Sequence, residues 1–278
     1  MNSLELSIVL ALLSLAAGLL GALTGLGGGV VIVPLLTLVF HVDIHYAIGA
    51  SLMSVIATSS GSAAAYVREG FSNVRIGMFL EIATTFGALV GAWLATITPT
   101  KSIAIVFGSI LIFSALVSNR RRPMRDPNAP ADPLATKLRL NGAYPVDGKR
   151  QRYNVHRVPL GFGVMFGAGT LSGLLGIGSG AVKVLAMDEA MQMPFKVSTT
   201  TSNFMIGVTA AASAGIYLSR GYIDPSLVMP VTLGVLAGSL IGAKILVRTR
   251  TRLLRIIFAF VIAALGIEMI YGALRGNL

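Results

Sequence analysis

The sequence predicts an all-α polytopic membrane protein made of two inverted repeats of about five hydrophobic segments each. Three observations lead to this fold class: few charges, ten apolar runs, and a residue pattern that recurs after 151 positions. Of the 278 residues, 54% are hydrophobic and 12% are charged, about half the charged share of an average soluble domain. So few charges could not cover a soluble core, which excludes an ordinary soluble enzyme and a disordered chain. With no cysteine, a disulfide-stapled secreted domain is excluded too.

Each half of the chain begins with a hairpin of two apolar runs and continues with three single spans. A helix needs about 20 apolar residues to cross the hydrocarbon core of a bilayer. The second arm of each hairpin is shorter, which favours a re-entrant or broken helix, although the sequence leaves a full crossing open. The ten predicted runs are 4–24, 28–40, 46–67, 75–97, 101–118, 158–175, 179–193, 197–219, 227–247 and 252–274.

A polar, basic stretch divides the chain into a first transmembrane repeat (1–118), a linker (119–157) and a second transmembrane repeat (158–278). The linker carries ten of the 22 Lys and Arg residues and five prolines, so we expect it to form no helix and to bury no core. Basic residues beside apolar spans are typical of the cytoplasmic side of a membrane, which predicts a cytoplasmic linker. The same clustering argues that the net charge of +11 does not serve nucleic-acid binding.

A gap-free register of 151 residues relates the two halves. The matched pairs are Gly25/Gly176, Gly27/Gly178, Gly29/Gly180, Ser51/Ser202, Thr58/Thr209, Ser62/Ser213, Tyr66/Tyr217, Gly70/Gly221, Gly87/Gly238 and Gly91/Gly242. The turn at 98–101 is predicted to lie outside, whereas its repeat mate at 248–255 carries four arginines and is predicted to lie inside. The halves are therefore predicted to have opposite orientation, as in many secondary transporters.

The glycine-rich hairpin tips are the predicted binding site for a small anion. Glycine exposes backbone amides and permits positive φ. A helix that starts after such a tip points free N–H groups, and its positive dipole end, into the cavity. Close helix packing is the alternative role for these glycines. The predicted amide donors are Gly27, Gly28, Gly29, Gly178, Ser179 and Gly180.

Lys183 lies just after the second tip, and its repeat mate is Ile32. A lysine buried in a membrane is costly unless it is compensated, and it marks a functional site by default. We expect Lys183 to add positive charge for the anion. The alternatives are snorkelling to the interface or pairing with Glu81, Asp188 or Glu189.

Uncharged polar groups near the start of the third runs are further candidates. Ser51, Ser202 and Asn203 are predicted to donate hydrogen bonds to the anion, with bonding to helix carbonyls or across helices as the alternative. Glu81 is a candidate for proton coupling, with an interfacial position as the alternative.

No enzymatic activity is predicted, since no nucleophile–base pair is visible. No metal is predicted either, because His41, Asp43 and His45 cluster in a short polar turn that favours a solvated surface, and no cofactor is predicted.

The run Gly25 to Pro34, its echo Gly176 to Val184 and the Ser/Thr-rich third runs resemble the TauE/SafE family of sulfite and organosulfur-anion exporters. The resemblance spans about 4–118 and 158–274. It implies a plasma-membrane carrier with repeated halves for sulfite, an organosulfonate or another small organic anion, with proton coupling as an option. The second half departs from the pattern, since Ser179 replaces the middle glycine and Leu185 stands where the first half has Pro34.

These features predict a secondary transporter that moves a small anion by alternating access around a site between the two glycine hairpins. An anion channel on the same fold is one alternative. A non-transporting membrane scaffold, whose basic linker binds anionic headgroups or a partner, is the other. The sequence leaves the direction of transport, the coupling ion and a homo-oligomeric state open.

Overall fold

The chain is almost entirely helical in the computed structural model, which describes residues 3–24, 28–68, 72–118, 132–146, 149–246 and 251–276. The first half contains α1 (Ser3–Thr24), α2 (Gly29–Pro34), α3 (Ile44–Arg68), α4 (Val74–Ile97) and α5 (Thr100–Ser118). The junction contains α6 (Pro133–Lys137), β1 (Gly142–Val146) and β2 (Lys149–Tyr153). The second half contains α7 (Val158–Leu175), α8 (Gly180–Leu185), α9 (Phe195–Ser219), α10 (Pro225–Leu246) and α11 (Thr251–Arg275). The predicted helical class is therefore confirmed, with one β hairpin added.

Three described helices are long and apolar enough to cross a membrane, over Val74–Ile97, Val158–Leu175 and Pro225–Gly242. Shorter apolar helical stretches cover Glu5–Gly21, Gly29–Val39 and Thr100–Leu116. Large apolar side chains on the outer surfaces of these helices are exposed, for example Phe86, Phe113 and Leu233. Apolar surface on this scale indicates contact with lipid rather than water.

The second arm of each hairpin is a short α-helix that continues as a π-helical turn. α2 runs into the turn Leu35–Val39, and α8 runs into the turn Ala186–Ala190. At 1.5 Å per residue, each arm is at most about 17 Å long, roughly half the thickness of the hydrocarbon core. The predicted short arms are therefore present, and neither is long enough to cross by itself.

Helix contacts repeat with the same 151-residue offset as the sequence. Gly87 of α4 packs against the Phe166 carbonyl of α7, and its mate Gly238 of α10 packs against the carbonyl of Leu15, the mate of Phe166. In both places a Cβ would collide with the carbonyl oxygen. These glycines therefore allow close helix packing, as small residues do in membrane proteins.

The repeat mates α3 and α9 pack against each other in opposite directions. Gly49, near the start of α3, lies against the carbonyl of Tyr222, just beyond the end of α9. At the other end, the backbone N–H of Asn73, just beyond α3, donates to Oγ1 of Thr201 near the start of α9 (3.0 Å). This antiparallel pairing is the direction expected if the halves have opposite orientation.

The linker is more ordered than the sequence predicts. Its second part forms α6 and an antiparallel hairpin in which Gly142 pairs with Tyr153 and Val146 pairs with Lys149. The expectation that the linker holds no helix and buries no core is therefore wrong for this part. Four of its residues join a hydrophobic cluster with residues of α4, α7 and α9, namely Ala135, Leu140, Tyr153 and Val155. Residues 119–131 lie outside the described part, and the division into two repeats and a linker stays a prediction.

Asp132 explains why a proline-rich stretch forms a helix here. Its Oδ1 accepts a hydrogen bond from the backbone N–H of Leu134 (2.8 Å), which caps α6. Pro133 takes the first helical position, where a missing N–H costs nothing. The other oxygen, Oδ2, accepts from the backbone N–H of Val158 (3.1 Å). One carboxylate thus joins the linker to the start of α7.

Candidate functional site

The hairpin tips of the two halves come into direct contact. A Cβ on Gly29, the first residue of α2, would lie 2.5 Å from Oγ of Ser51 and 3.1 Å from the carbonyl oxygen of Gly176 in the other tip. Ser51 donates a hydrogen bond to that same carbonyl (2.7 Å). The structure therefore brings together predicted residues that lie far apart in sequence. Gly27 lies outside the described residues.

The second tip has a left-handed backbone. Gly176, Gly178 and Ser179 have φ values of +67°, +69° and +45°, a region that costs a residue with a Cβ about 1–2 kcal/mol. Ser179 is also 2% exposed, and its Oγ has no hydrogen-bond partner among the described residues. A buried hydroxyl without a partner costs about 1–3 kcal/mol. Ser179 is therefore held in a strained and unsatisfied position.

A small cavity lies beside Ser179, where the two halves meet. Its volume is about 10 Å³, room for about one water molecule. Val30 of the first tip, Gly180 of the second tip and Ser114 of α5 also line it. The two tips thus form a closed contact with room for about one water molecule, and anion binding between them stays a prediction.

The remaining tip glycines and the third-run polar groups make structural contacts. A Cβ on Gly28 would meet Val235 of α10, and one on Gly178 would meet Ile206 of α9. Ser202 donates to the carbonyl of Gly180 (3.3 Å), as its mate Ser51 does to the carbonyl of Gly176. Both serine hydroxyls are thus directed at carbonyls, the alternative role for these groups. Asn203 is half-buried beside Ser202, and anion binding by these groups stays a prediction.

A buried chain of polar side chains joins α8, α9 and α4. Nζ of Lys183 donates to Oγ1 of Thr209 (2.5 Å), and that hydroxyl donates to Oε1 of Glu81 (2.6 Å). Thr85 donates to the same carboxylate oxygen (3.3 Å). Lys183 is fully buried and Glu81 is 6% exposed. We refer to Glu81, Thr209 and Lys183 as the polar chain.

The burial of the polar chain bears on the alternatives for its two charged members. Glu81 is 6% exposed and faces α9, and its role in proton coupling stays a prediction. Lys183 does not snorkel but is paired with Glu81 through Thr209. A buried charge costs several kcal/mol unless an opposite charge and hydrogen bonds compensate it. The second carboxylate oxygen, Oε2, is buried with no hydrogen-bond partner among the described residues, which leaves a position where a proton could reside.

Thr209 is the member of the polar chain that sequence reasoning missed, since it stood out only as the repeat mate of Thr58. The available signal is its spacing. Thr209 follows Ser202 by seven residues, two turns of α9, so the two hydroxyls lie on one face of the helix. Glu81 is 128 positions from Thr209, and no local pattern connects them.

Comparison with known proteins shows what this chain is similar to. The family model for the sulfite exporter TauE/SafE matches residues 10–269. The "probable membrane transporter protein YunE" of Bacillus subtilis is 28% identical over 95% of this chain and 97% of its own length. Another Bacillus subtilis protein, the "probable membrane transporter protein YdhB", is 29% identical over 85% of this chain and 87% of its own.

The similarity extends to archaea. The "probable membrane transporter protein MJ0441" of Methanocaldococcus jannaschii is 23% identical over 94% of both chains. No solved structure matches. Because the family model spans both helical halves and the linker, the match covers the whole architecture rather than one motif. This chain is therefore a multi-pass membrane protein that belongs to the sulfite exporter TauE/SafE family.

Proposed function

We propose that this protein is a secondary transporter that carries a small anion, such as sulfite or an organosulfonate, across the plasma membrane by alternating access between two inverted repeats. The observation that carries the proposal is the buried polar chain directly behind the contact between the hairpin tips. Lys183 belongs to the first turn of α8, and Thr209 shares a face of α9 with Ser202, which bonds to the tip. The Lys183 ammonium and the Glu81 carboxylate lie close enough to the tips for an anion there to change the balance of their charges.

The charges of the polar chain suggest how anion and proton are coupled. With Glu81 ionised, the carboxylate and the Lys183 ammonium cancel, and the site attracts no anion. A proton on Glu81 leaves Lys183 uncompensated, so a singly charged anion restores neutrality. The proton would reside on Oε2, which has no hydrogen-bond partner among the described residues, while Thr209 continues to donate to Oε1. Proton and anion therefore bind and leave together.

The tips are the proposed place of anion contact. Backbone amides of Gly28, Gly29, Gly178, Ser179 and Gly180 would face the anion when the tips separate, with Gly27 as a further candidate outside the described residues. The unsatisfied hydroxyl of Ser179 is the side-chain group best placed to donate. Ser51, Ser202 and Asn203 would add hydrogen bonds once the serines leave their carbonyls.

Two further features are in keeping with alternating access, and the second of them argues against a channel. The antiparallel α3 and α9 are what oppositely oriented repeats would produce, and such repeats rock around a central site in many carriers. A channel would need a continuous hydrated path, whereas the tips here meet around room for about one water molecule. The proposal places the linker on the cytoplasmic side, following its basic residues.

Uptake of radiolabelled sulfite into proteoliposomes tests the proposal. For the wild type we expect saturable uptake that rises about tenfold when the sulfite side is made acidic. Glu81→Gln should keep saturable uptake but lose the response to the gradient, because the amide binds no proton in this range. Thr232→Val, the isosteric change at the repeat mate of Glu81, is the matched control and should behave as the wild type.

Each other outcome removes a specific part of the proposal. A gradient response that survives in Glu81→Gln would exclude Glu81 as the coupling group. Flux that does not saturate would indicate the channel. If sulfite is not carried, a panel of sulfonates and carboxylates is next, and failure of the whole panel would favour the non-transporting scaffold.

A further inference from the structure

We infer that the cleft between the first turn of α4 and the linker hairpin binds an anionic phospholipid, with its phosphate on Arg75 and Arg139. The cleft has a volume of about 570 Å³. One wall is the start of α4, with Val74, Arg75 and Met78, and the other is the linker, with Arg139 and Tyr153. This site is independent of the transported anion and lies at a different place in the fold.

The two arginines are brought together by the packing of the linker. Nη1 of Arg75 donates to the backbone carbonyl of Arg139 (3.1 Å), so the guanidinium of one residue lies beside the backbone of the other. Both side chains are exposed. Two positive charges at one cleft repel each other unless an anion lies between them. The paired N–H groups of a guanidinium match the geometry of phosphate oxygens and can donate two parallel hydrogen bonds to them.

No acidic residue of the described chain lines this cleft. Among the described residues of the linker the acidic one is Asp132, and both of its oxygens accept backbone N–H groups. Burial raises the pKa of Tyr153 to about 12, so its hydroxyl stays neutral and adds no negative charge. The positive charge of the cleft is therefore not compensated from within the described residues.

The amide side chains in the cleft shape its wall. Nδ2 of Asn73 donates to the carbonyl of Leu140 (3.0 Å) and to the hydroxyl of Tyr153 (2.8 Å). Asn141 accepts from the backbone N–H of Val155 (2.9 Å). These bonds tie the linker to α4 and fix the distance between the walls. The hydroxyl of Ser72 also lines the cleft and is buried in its wall, so the guanidinium groups of Arg75 and Arg139 are the charged groups that an anion would meet.

The surface of α4 indicates a lipid rather than a soluble anion. Since α4 crosses the membrane, a cleft at its first turn lies at the depth of the headgroups. Val74 and Met78, which line the cleft, begin a stripe that continues with Ile82 and Phe86 at steps of four residues. Their exposed fractions are 41%, 57%, 52% and 63%. An acyl chain can lie along this stripe while the phosphate contacts the arginines.

Lipid binding by the purified full-length protein in phosphatidylcholine nanodiscs containing fluorescent phosphatidylglycerol tests this inference. One contact between an arginine and an anionic lipid headgroup contributes about fivefold to the binding affinity. We therefore expect Arg75→Gln and Arg139→Gln each to weaken lipid binding about fivefold. The double variant should weaken it by about 25-fold. Two control variants should retain wild-type binding. Arg150→Gln changes the same hairpin outside the cleft, and Arg220→Gln changes the residue that follows the C-terminal end of α9.

Two results would overturn the inference. One is equal loss in Arg150→Gln and Arg139→Gln, which would indicate general attraction to a basic surface. The other is displacement of the lipid by millimolar inorganic phosphate or glycerol phosphate, which would indicate a site for a soluble anion. Arg139→Gln also guards against misfolding, because the described contact of Arg139 uses its backbone carbonyl. Its monodispersity and thermal unfolding should match the wild type.

Discussion

The polar chain and its repeat-related counterpart show how one scaffold carries two different interiors. Glu81, Thr209 and Lys183 are joined by hydrogen bonds. The positions related to them by the 151-residue repeat are occupied by Thr232, Thr58 and Ile32. Thr58 bonds to a carbonyl of its own helix, Ser54, at 3.0 Å. The backbone is repeated, but the charged chemistry is present at one of the two places.

This difference suggests a division of labour. In the proposed transport cycle, repeated helices with equivalent contacts, such as those of Gly87 and Gly238, would exchange between two related arrangements. The single buried carboxylate and ammonium would then link those arrangements to one proton and one charge. A symmetric pair of charged chains would double the buried charge and its desolvation penalty.

The largest expected effect comes from removing the ammonium. Lys183→Met leaves Glu81 buried without its counter-charge, which should cost about 3–5 kcal/mol of stability and abolish sulfite uptake. The double variant Glu81→Gln/Lys183→Met removes both charges and should recover most of the stability but none of the transport. Thermal unfolding in detergent and proteoliposome uptake measure the two effects. Unchanged stability in Lys183→Met would show that the two charges are not coupled in the folded protein.

An intermediate effect is expected at the bridging hydroxyl. Thr209→Val keeps the shape but leaves the Lys183 ammonium and the Glu81 carboxylate without their link, at a cost of about 1–3 kcal/mol. Uptake should fall about tenfold, and Thr209→Ser should restore it. Thr58→Val is the matched change in the other half and should cost less, because the places of Glu81 and Lys183 are held there by the uncharged Thr232 and Ile32. Equal effects of the two valine variants would contradict the asymmetry.

The smallest expected effect is at the tips, where Ser179 and its repeat mate Gly28 differ in backbone. Gly28 has φ −65°, whereas Ser179 has φ +45°. Ser179→Gly should raise stability by about 1 kcal/mol, since relief of the left-handed φ and of the buried hydroxyl is partly offset by the greater freedom of glycine in the unfolded chain. A rise in the KM for sulfite in the same variant would assign the hydroxyl to the anion. An unchanged KM together with greater stability would assign Ser179 to the backbone turn alone.

Several features of the fold were predictable from the sequence because they depend on local composition. The apolar runs at 75–97 and 197–219 correspond to α4 and α9 within a few residues, since lipid requires long uninterrupted apolar helices. The short second arms were predictable because the apolar runs 28–40 and 179–193 are shorter than the about 20 residues that a membrane-spanning helix needs. The order of the linker was not predictable, because its five prolines and ten basic residues indicate a polar coil. The bond from the N–H of Val158 to the second oxygen of Asp132 joins positions 26 residues apart.

The candidate site was predictable only in part. Glycine-rich tips and a lone lysine are visible as sequence anomalies, and the structure places the tips in contact. The partner of Lys183 was one of three acidic alternatives, and Thr209 was not singled out. The bond between Glu81 of α4 and Thr209 of α9 joins residues 128 positions apart. A periodic pattern in the sequence cannot predict a contact of this kind.

The sequence alone determined the membrane class, the ten segments, the repeat and the glycine tips, because hydropathy, spacing and residue type are properties of neighbours along the chain. Only the tertiary structure decided that Glu81 is buried, that Thr209 links it to Lys183, that Ser179 has a left-handed backbone and that the linker folds against α4. These are outcomes of packing between distant helices. The free energy of a buried charge depends on which group faces it, and that partner is defined only when the chain is folded.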